Sequence, residues 1–530
     1  MINDFREMTN ETVIETDICI VGAGAAGISI AKYLNGSNIS ICLVESGGFE
    51  FEEETQSLYQ GKNVGLKYFP LDTARLRYFG GTTNHWTGWC APLDQIDFEQ
   101  RDWVPYSGWP FTQKDLEPYY IQAQKWCNVG PYRYQPSDWE ADNFKLLALL
   151  PEKISNKLWQ FSPAPTRFGT AYRAELEQAT HIQVLLHANV VEVISNQSAQ
   201  AVEGVKITTL DRTKTGTVRA KVVILACGGL ENPRLLLVSN RVQTTGLGNQ
   251  NDNVGRFFME HPVVNSGELI TLKDSRFLAN YGNITIRNGT HLKPAVSISE
   301  IAQPKYQTLN VAVMMYSDSF KEQMEGYLAA QKVFRALKSG KFSDNFRHDV
   351  INAITDLDNF AEGLYYRFRG TNKPFPRDTS ISLTSLSEQT PNPNSRVLLD
   401  TEKDKLGLPR IKLDWQLTAL DKRSIRITNQ LIGEEFGRME LGRLQLAEWL
   451  QPEDDHFETL TGGYHHMGTT RMSEDPKQGV VDKNCQVHGL ANLYIAGSSV
   501  FATSGNSNPT LTIVALAMRL AEHLKKQVVS

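Results

Sequence analysis

The chain is poor in cysteine, with six in 530 residues (Cys19, Cys42, Cys90, Cys127, Cys227 and Cys485). No two of them stand at C-x-x-C or haem-attachment spacing. That scatter excludes a zinc ribbon, a dithiol redox centre and a haem relay on this chain. No metal site is expected, and the cysteines read as reduced thiols of a cytoplasmic protein. Long apolar runs are also missing. "VVILAC", Val222–Cys227, is among the longest, far short of the roughly 20 residues a membrane helix needs. The opening "MINDFREMTNETVIE" is polar and acidic, unlike a secretory or transit segment. The formal net charge of −5 is spread without long runs, which argues against a nucleic-acid partner. No repeat or low-complexity linker is present.

What remains is an ordinary globular composition, 41% hydrophobic and 21% charged, on a chain long enough for roughly two to four domains. Near the N-terminus, "TDICIVGAGAAGISIAKYL" reads as a buried strand, a glycine turn and a helix start, and "NISICLVESGG" as a second strand. This is the pattern of a β-α-β unit. Gly22, Gly24 and Gly27 form G-x-G-x-x-G. The first makes the turn, the second admits a pyrophosphate to the backbone, and the third lets helix and strand pack. Glu45 ends the next strand about 20 residues on, where an acid accepts hydrogen bonds from ribose hydroxyls. A dinucleotide site follows, FAD and NAD being left open by the motif itself. Only one such fingerprint occurs, so electrons are expected from the substrate rather than from a bound NAD(P)H.

Further αβ-like blocks run from His181 to Asn240 and through "ANLYIAGSSVFATSGNSNPTLTIVALAMRLAEHL". A polar stretch around Lys321–Phe368 is expected to be helical. The simplest organisation is a discontinuous nucleotide-binding domain, residues 1–100, 180–261 and 455–530, with a substrate-binding or cap domain inserted at 101–179 and 262–454.

The pieces "GAGAAG", "GGTTNHW", "ACGGLENPRLLL", "NVGRFFMEHP", "YHHMGTTRM", "GVVDKNCQVHGLANLYIAGSS" and "NPTLTIVALAMRLA", taken together and in order, resemble the glucose–methanol–choline (GMC) oxidoreductase family. The resemblance covers nearly the whole chain, apart from about 265–385. It implies an α/β architecture, a Rossmann-like FAD-binding domain of the p-hydroxybenzoate-hydroxylase-like type with an inserted α+β substrate domain. The implied activity is FAD-dependent oxidation of an alcohol, here of a sugar or glycoside, by hydride transfer to flavin N5.

Carried over by motif, His465 of "YHHMGTT" is the base that takes the hydroxyl proton, and Asn508 of "GNSNPT" holds the same oxygen. His466 and His261 are expected to pack or support. Gly80, Gly81, Thr82, Asn84, His85, Trp86 and Thr87 lie along the flavin ring. In the pyranose 2-oxidase branch, to which this loop is similar, the matching histidine is bonded to the flavin 8α-methyl carbon, so His85 is either the attachment point or a stacking residue. Val190 faces the adenine through its backbone, Gly497 and Ser498 the pyrophosphate or ribityl chain, and Asn508, Pro509 and Thr510 open a helix toward the flavin N1–C2=O edge. Many family members carry an acid at or beside Ser498, and its absence leaves that contact open. The resemblance leaves the electron acceptor open among oxygen, a quinone and a redox partner protein, and likewise the oligomeric state. Two other readings stand beside it: a non-redox lyase of the same family with idle FAD, and a flavin-free carrier or regulator with a flavoprotein fold.

Overall fold

A computed structural model of the chain describes residues 1–140, 144–162, 164–271, 279–282, 285–287, 289–317, 380–451, 454 and 456–529. The expected helical stretch around Lys321–Phe368 lies outside them.

Two large sheets organise the described residues. The first runs in the order Ile2–Asp4, Ile182–Leu186, Ile41–Val44, Thr12–Val21, Thr215–Leu225, Val202–Thr208, Asn189–Ser195. Its first four junctions are parallel, and Leu493–Ile495 adds to Val223–Leu225 in the same sense. The last two junctions are antiparallel. The central parallel strands read as continuous apolar runs because both faces are covered. Ile18, Cys19, Ile20, Val223, Ile224 and Leu225 are fully buried. Helix Ala25–Leu34 and the long helix Thr510–Val529 pack against each other in this core.

The second sheet is antiparallel throughout, in the order Gly442–Leu446, Val263–Thr271, Ser380–Ser387, Val311–Ser317, Thr290–Ile298, Ile154–Phe161, Trp89–Cys90. Helix Ala419–Arg438 covers it through Ile425, Leu431, Ile432 and Phe436, starting at a Thr418/Asp421 capping box. A small sheet of Gly61–Asn63, Pro409–Asp414 and Arg396–Lys403 closes one side.

One segment departs from the expected division. Helix Gln113–Trp126 was assigned with the inserted part, yet Leu116, Tyr120, Ala123 and Cys127 are buried in the first core, and the helix packs on Thr510–Val529. Its apolar face matches that partner. All six cysteines are free thiols, five of them buried. No helix among the described residues is long and apolar enough to cross a membrane.

Candidate active site

The turn after strand Thr12–Val21 shows why its glycines are there. Gly22 has φ +101°, and a Cβ on it would stand 2.8 Å from the Ala226 carbonyl oxygen. A Cβ on Gly27 would lie 2.0 Å from the Gly22 carbonyl oxygen, so only glycine lets helix Ala25–Leu34 sit this close. Gly24 differs, since a Cβ there meets nothing within 4 Å. It faces open space.

That space is a cleft of about 370 Å³ lined by Gly22, Gly24, Glu45, Arg77, Gly81, Thr82, His85, Trp86, Thr87, Tyr464, His465, Gly497, Ser498, Asn508, Pro509 and Thr510, among others. A second cavity shares Gly22, Glu45, Tyr59, Arg77 and Cys227 with it and extends to Ala188, Val190 and Val238. An elongated, two-ended ligand is what such a joined pair fits. Glu45 sits at the junction, its carboxylate held by the backbone N–H groups of Ala23 (2.9 Å) and Gly47 (3.0 Å). A carboxylate has about four acceptor sites, so hydrogen-bonding capacity remains.

Below the junction lies a cluster that sequence reading missed. Arg75 and Arg77 approach Glu231 at 2.9 and 3.4 Å, and Arg234 bridges Glu231 and Asp404. Burial works against ionisation of Glu231, yet the three guanidiniums hold its carboxyl down at about 2. "RLRYFGG" carried the signal in two arginines spaced just ahead of a glycine turn.

The structure brings nearly all the sequence-derived residues to these two cavities. Gly27, Gly80 and Asn84 are the exceptions and line neither. Gly27 packs as described, while Asn84 Nδ2 donates to the Phe79 carbonyl across Gly80 (φ +97°), so this pair builds the turn that presents Gly81 and Thr82. The Ser498 hydroxyl is committed to the His466 carbonyl at 2.7 Å. His85 is exposed toward the cleft, and burial followed by the nearby Arg167 charge lowers its pKa.

At the far end the site becomes a network of side chains. Asn508 Nδ2 lies 3.3 Å from His465 Nε2, and Asn508 Oδ1 is buried without a partner. His465 Nδ1 is 2.8 Å from His261 Nδ1, and His261 Nε2 is 3.3 Å from the Ser504 carbonyl oxygen. Glu260, fully buried, accepts from the backbone N–H of His261 (2.8 Å) and of His465 (2.9 and 3.0 Å). Tyr68 donates to Glu260 and meets His466 Nε2 at 2.9 Å. Burial governs all four titrating groups here. It pushes Glu260 up to about 7, holds His261 down at about 4 and His466 at about 3, and takes His465 well below the ordinary imidazole range. All three imidazoles are therefore neutral near pH 7. At the mouth, Tyr464 is exposed, left-handed (φ 61°), and stacked on Phe69 with centroids 4.3 Å apart. Both ring nitrogens of His261 are spent on polar partners.

Known proteins align with this geometry. A family profile described as GMC oxidoreductase matches residues 391–517, and one described as FAD dependent oxidoreductase matches residues 17–247. The large subunit of fructose dehydrogenase from Gluconobacter japonicus is 21% identical over 97% of this chain and 98% of its own. The 6'''-hydroxyparomomycin C oxidase of Streptomyces lividus is 24% identical over 96% of this chain and 92% of its own. Among solved structures, formate oxidase superposes with a TM-score of 0.56 at 17% identity, covering 98% of this chain and 99% of that one. The chain is similar to GMC oxidoreductases in its C-terminal part and, at low identity, to the named relatives along nearly its whole length. It is an FAD-dependent oxidoreductase.

The residues fit that cofactor. Gly24 and Gly497 leave open space where a Cβ would stand, as a backbone-hugging pyrophosphate requires, and the orphaned Asn508 Oδ1 awaits a donor.

Proposed function

We propose that this protein oxidises an alcohol group of a sugar or glycoside to a carbonyl, with His465 as the base. The observation that carries the reading is the neutral His465 imidazole, turned so that Nε2 meets Asn508 in the cleft. When bound, FAD would supply the two-electron acceptor for the carbon-bound hydride. His465 Nε2 removes the hydroxyl proton, and Asn508 donates to the oxygen as alkoxide character develops. Gly22, Gly24, Glu45, Val190, Gly497, Ser498, Pro509 and Thr510 would hold the cofactor, and the loop of Gly81, Thr82, His85, Trp86 and Thr87 would flank its ring system, with His85 placed to attach or stack. Residues 1–100, 180–261 and 455–530, joined by 113–126, form the FAD-binding part in this reading, and 262–454 the main substrate side.

The sugar assignment draws on the relatives' names, a fructose dehydrogenase subunit, a 6'''-hydroxyparomomycin C oxidase and C-glycoside 3-oxidases. It also draws on the aromatic mouth of Phe69 and Tyr464, which suits the apolar face of a pyranose. Anaerobic mixing with a panel of sugars, glycosides and simple alcohols tests the reading, and at least one sugar or glycoside should bleach the flavin. A carbonyl product without bleaching would turn the assignment to a lyase. Replacing His465 with Ala should slow bleaching by about 10²–10⁴-fold with flavin retained. A wild-type rate there would move the base elsewhere. The acceptor, whether oxygen, a quinone or a protein partner, is identified by which one restores the absorbance.

A further inference from the structure

We infer that His261 is a positioning residue that fixes the tautomer of His465, leaving His465 Nε2 as a bare lone pair facing the cleft. The inference rests on His465 being the base.

One end of the row is a group that cannot donate. The Ser504 carbonyl oxygen lies 3.3 Å from His261 Nε2 and only accepts, so the single hydrogen of neutral His261 resides on Nε2. Nδ1 of His261 is then a lone pair. It stands 2.8 Å from His465 Nδ1, a separation two lone pairs would not hold, so His465 carries its hydrogen on Nδ1. Nε2 of His465 is left unprotonated, and the Asn508 amide nitrogen at 3.3 Å donates toward it. Every hydrogen in the row Ser504, His261, His465, Asn508 points the same way.

The row is rigidly mounted. Glu260 accepts the backbone N–H of both histidines, so one carboxylate sets the spacing between the two rings. The rings meet nearly edge-on, 79° between planes with centroids 4.9 Å apart. His261 is fully buried, and burial keeps it neutral near pH 7. Proton accounting closes locally. The substrate O–H bond breaks, an Nε2–H bond forms on His465, and the resulting imidazolium keeps donating from Nδ1 to His261. No proton passes to His261, whose other nitrogen is already committed.

Nitrogen-15 histidine spectra of the flavin-loaded protein read the tautomer directly, with the His465 signals assigned by their loss in His465→Ala. A protonated Nδ1 and an unprotonated Nε2 are expected, and the reverse pattern overturns the inference. Stopped-flow reduction supplies the second arm. His261→Leu removes the acceptor and should lower the limiting reduction rate by at least about tenfold, with substrate Kd changed less than about threefold. His261→Asn places Oδ1 where Nδ1 stood and should recover most of that loss. Equal rates in the two variants, slow or fast, count against a tautomer role, since a space-filling role would not distinguish them by hydrogen-bond acceptance. If His261→Leu does not retain flavin, the wild-type spectra and the Asn variant decide. A His465→Ala protein that reduces at the wild-type rate defeats the base assignment, whereas the spectra judge His261 independently.

Discussion

The two ends of the cleft are built on opposite principles. The end around Gly22, Gly24 and Gly497 is made of backbone, and its defining feature is side chains that are absent. The end around Glu260, His261, His465 and Asn508 is made of side chains whose hydrogen bonds run in one direction. A backbone cradle tolerates no intrusion and has no protonation state to set. A side-chain row tolerates a change of shape better than a change of donor and acceptor. Substitutions at the two ends should therefore fail in different ways, and that contrast can be broken experimentally.

The largest effects belong to the glycine turn. Gly27→Ala puts a Cβ 2.0 Å from a backbone carbonyl, so soluble folded protein should be lost. At Gly24 a Cβ meets no protein atom within 4 Å, so Gly24→Val is the contrasting variant. It should fold with the melting temperature of the flavin-free wild type and come off the column colourless. A yellow Gly24→Val protein would break the claim that this end works by vacancy.

Asn508→Asp comes next and probes the reactive end through its charge. A carboxylate beside His465 stabilises the imidazolium, so the His465 pKa, held well below the ordinary range in the wild type, should rise. Since only the neutral ring accepts a proton, the acid limb of the reduction rate should move to higher pH, and the repelled alkoxide should slow reduction further. An unshifted pH profile would separate Asn508 from the base. At the loop between the ends, His85→Ala should keep flavin, because the cradle is untouched, and slow reduction only modestly. Acid precipitation should give a yellow wild-type pellet and a white variant pellet. Flavin in the wild-type supernatant would reduce His85 to a stacking residue.

Tyr68→Phe should be the mildest. It removes one donor to Glu260 and one partner of His466, worth about 1–2 kcal/mol of stability. The loss should depend on pH. Glu260 has a folded pKa of about 7, above its unfolded value, so its protonated form stabilises the fold at acid pH, and that contribution fades as pH rises through 7. The ionised carboxylate then leans on the Tyr68 proton. The melting difference should be larger near pH 8 than near pH 5, and a pH-independent difference would sever Tyr68 from Glu260.

The same contrast explains what could be read from the sequence. Vacancy is local: Gly22, Gly24 and Gly27 sit within six residues, flanked by strand and helix patterns, and their purpose follows from spacing alone. The motif stretches also carried His465 and Asn508. The direction of the hydrogen-bonded row was not legible, because His261, His465 and the Ser504–Asn508 stretch come from three segments far apart, and no periodicity records which nitrogen faces which. Glu260 stood in view in "MEHP", but an acid next to a histidine says nothing of backbone N–H groups two hundred residues on. The partner of helix Gln113–Trp126 was hidden for a related reason, since its amphipathic face declares that it packs without naming what it packs on.

One strand pairing bears on how the protein is made. Val223–Leu225 in the central sheet takes Leu493–Ile495 as its parallel neighbour, and helix Thr510–Val529 closes against Ala25–Leu34. Until residues 493–529 have emerged from the ribosome, that strand edge lies unpaired and the first core lacks one wall. A nascent chain in this condition presents a ready template for wrong pairing. The cleft is thus completed only once residues 493–529 are available, and the vulnerable interval is the whole time needed to translate from residue 226 to the closing helix.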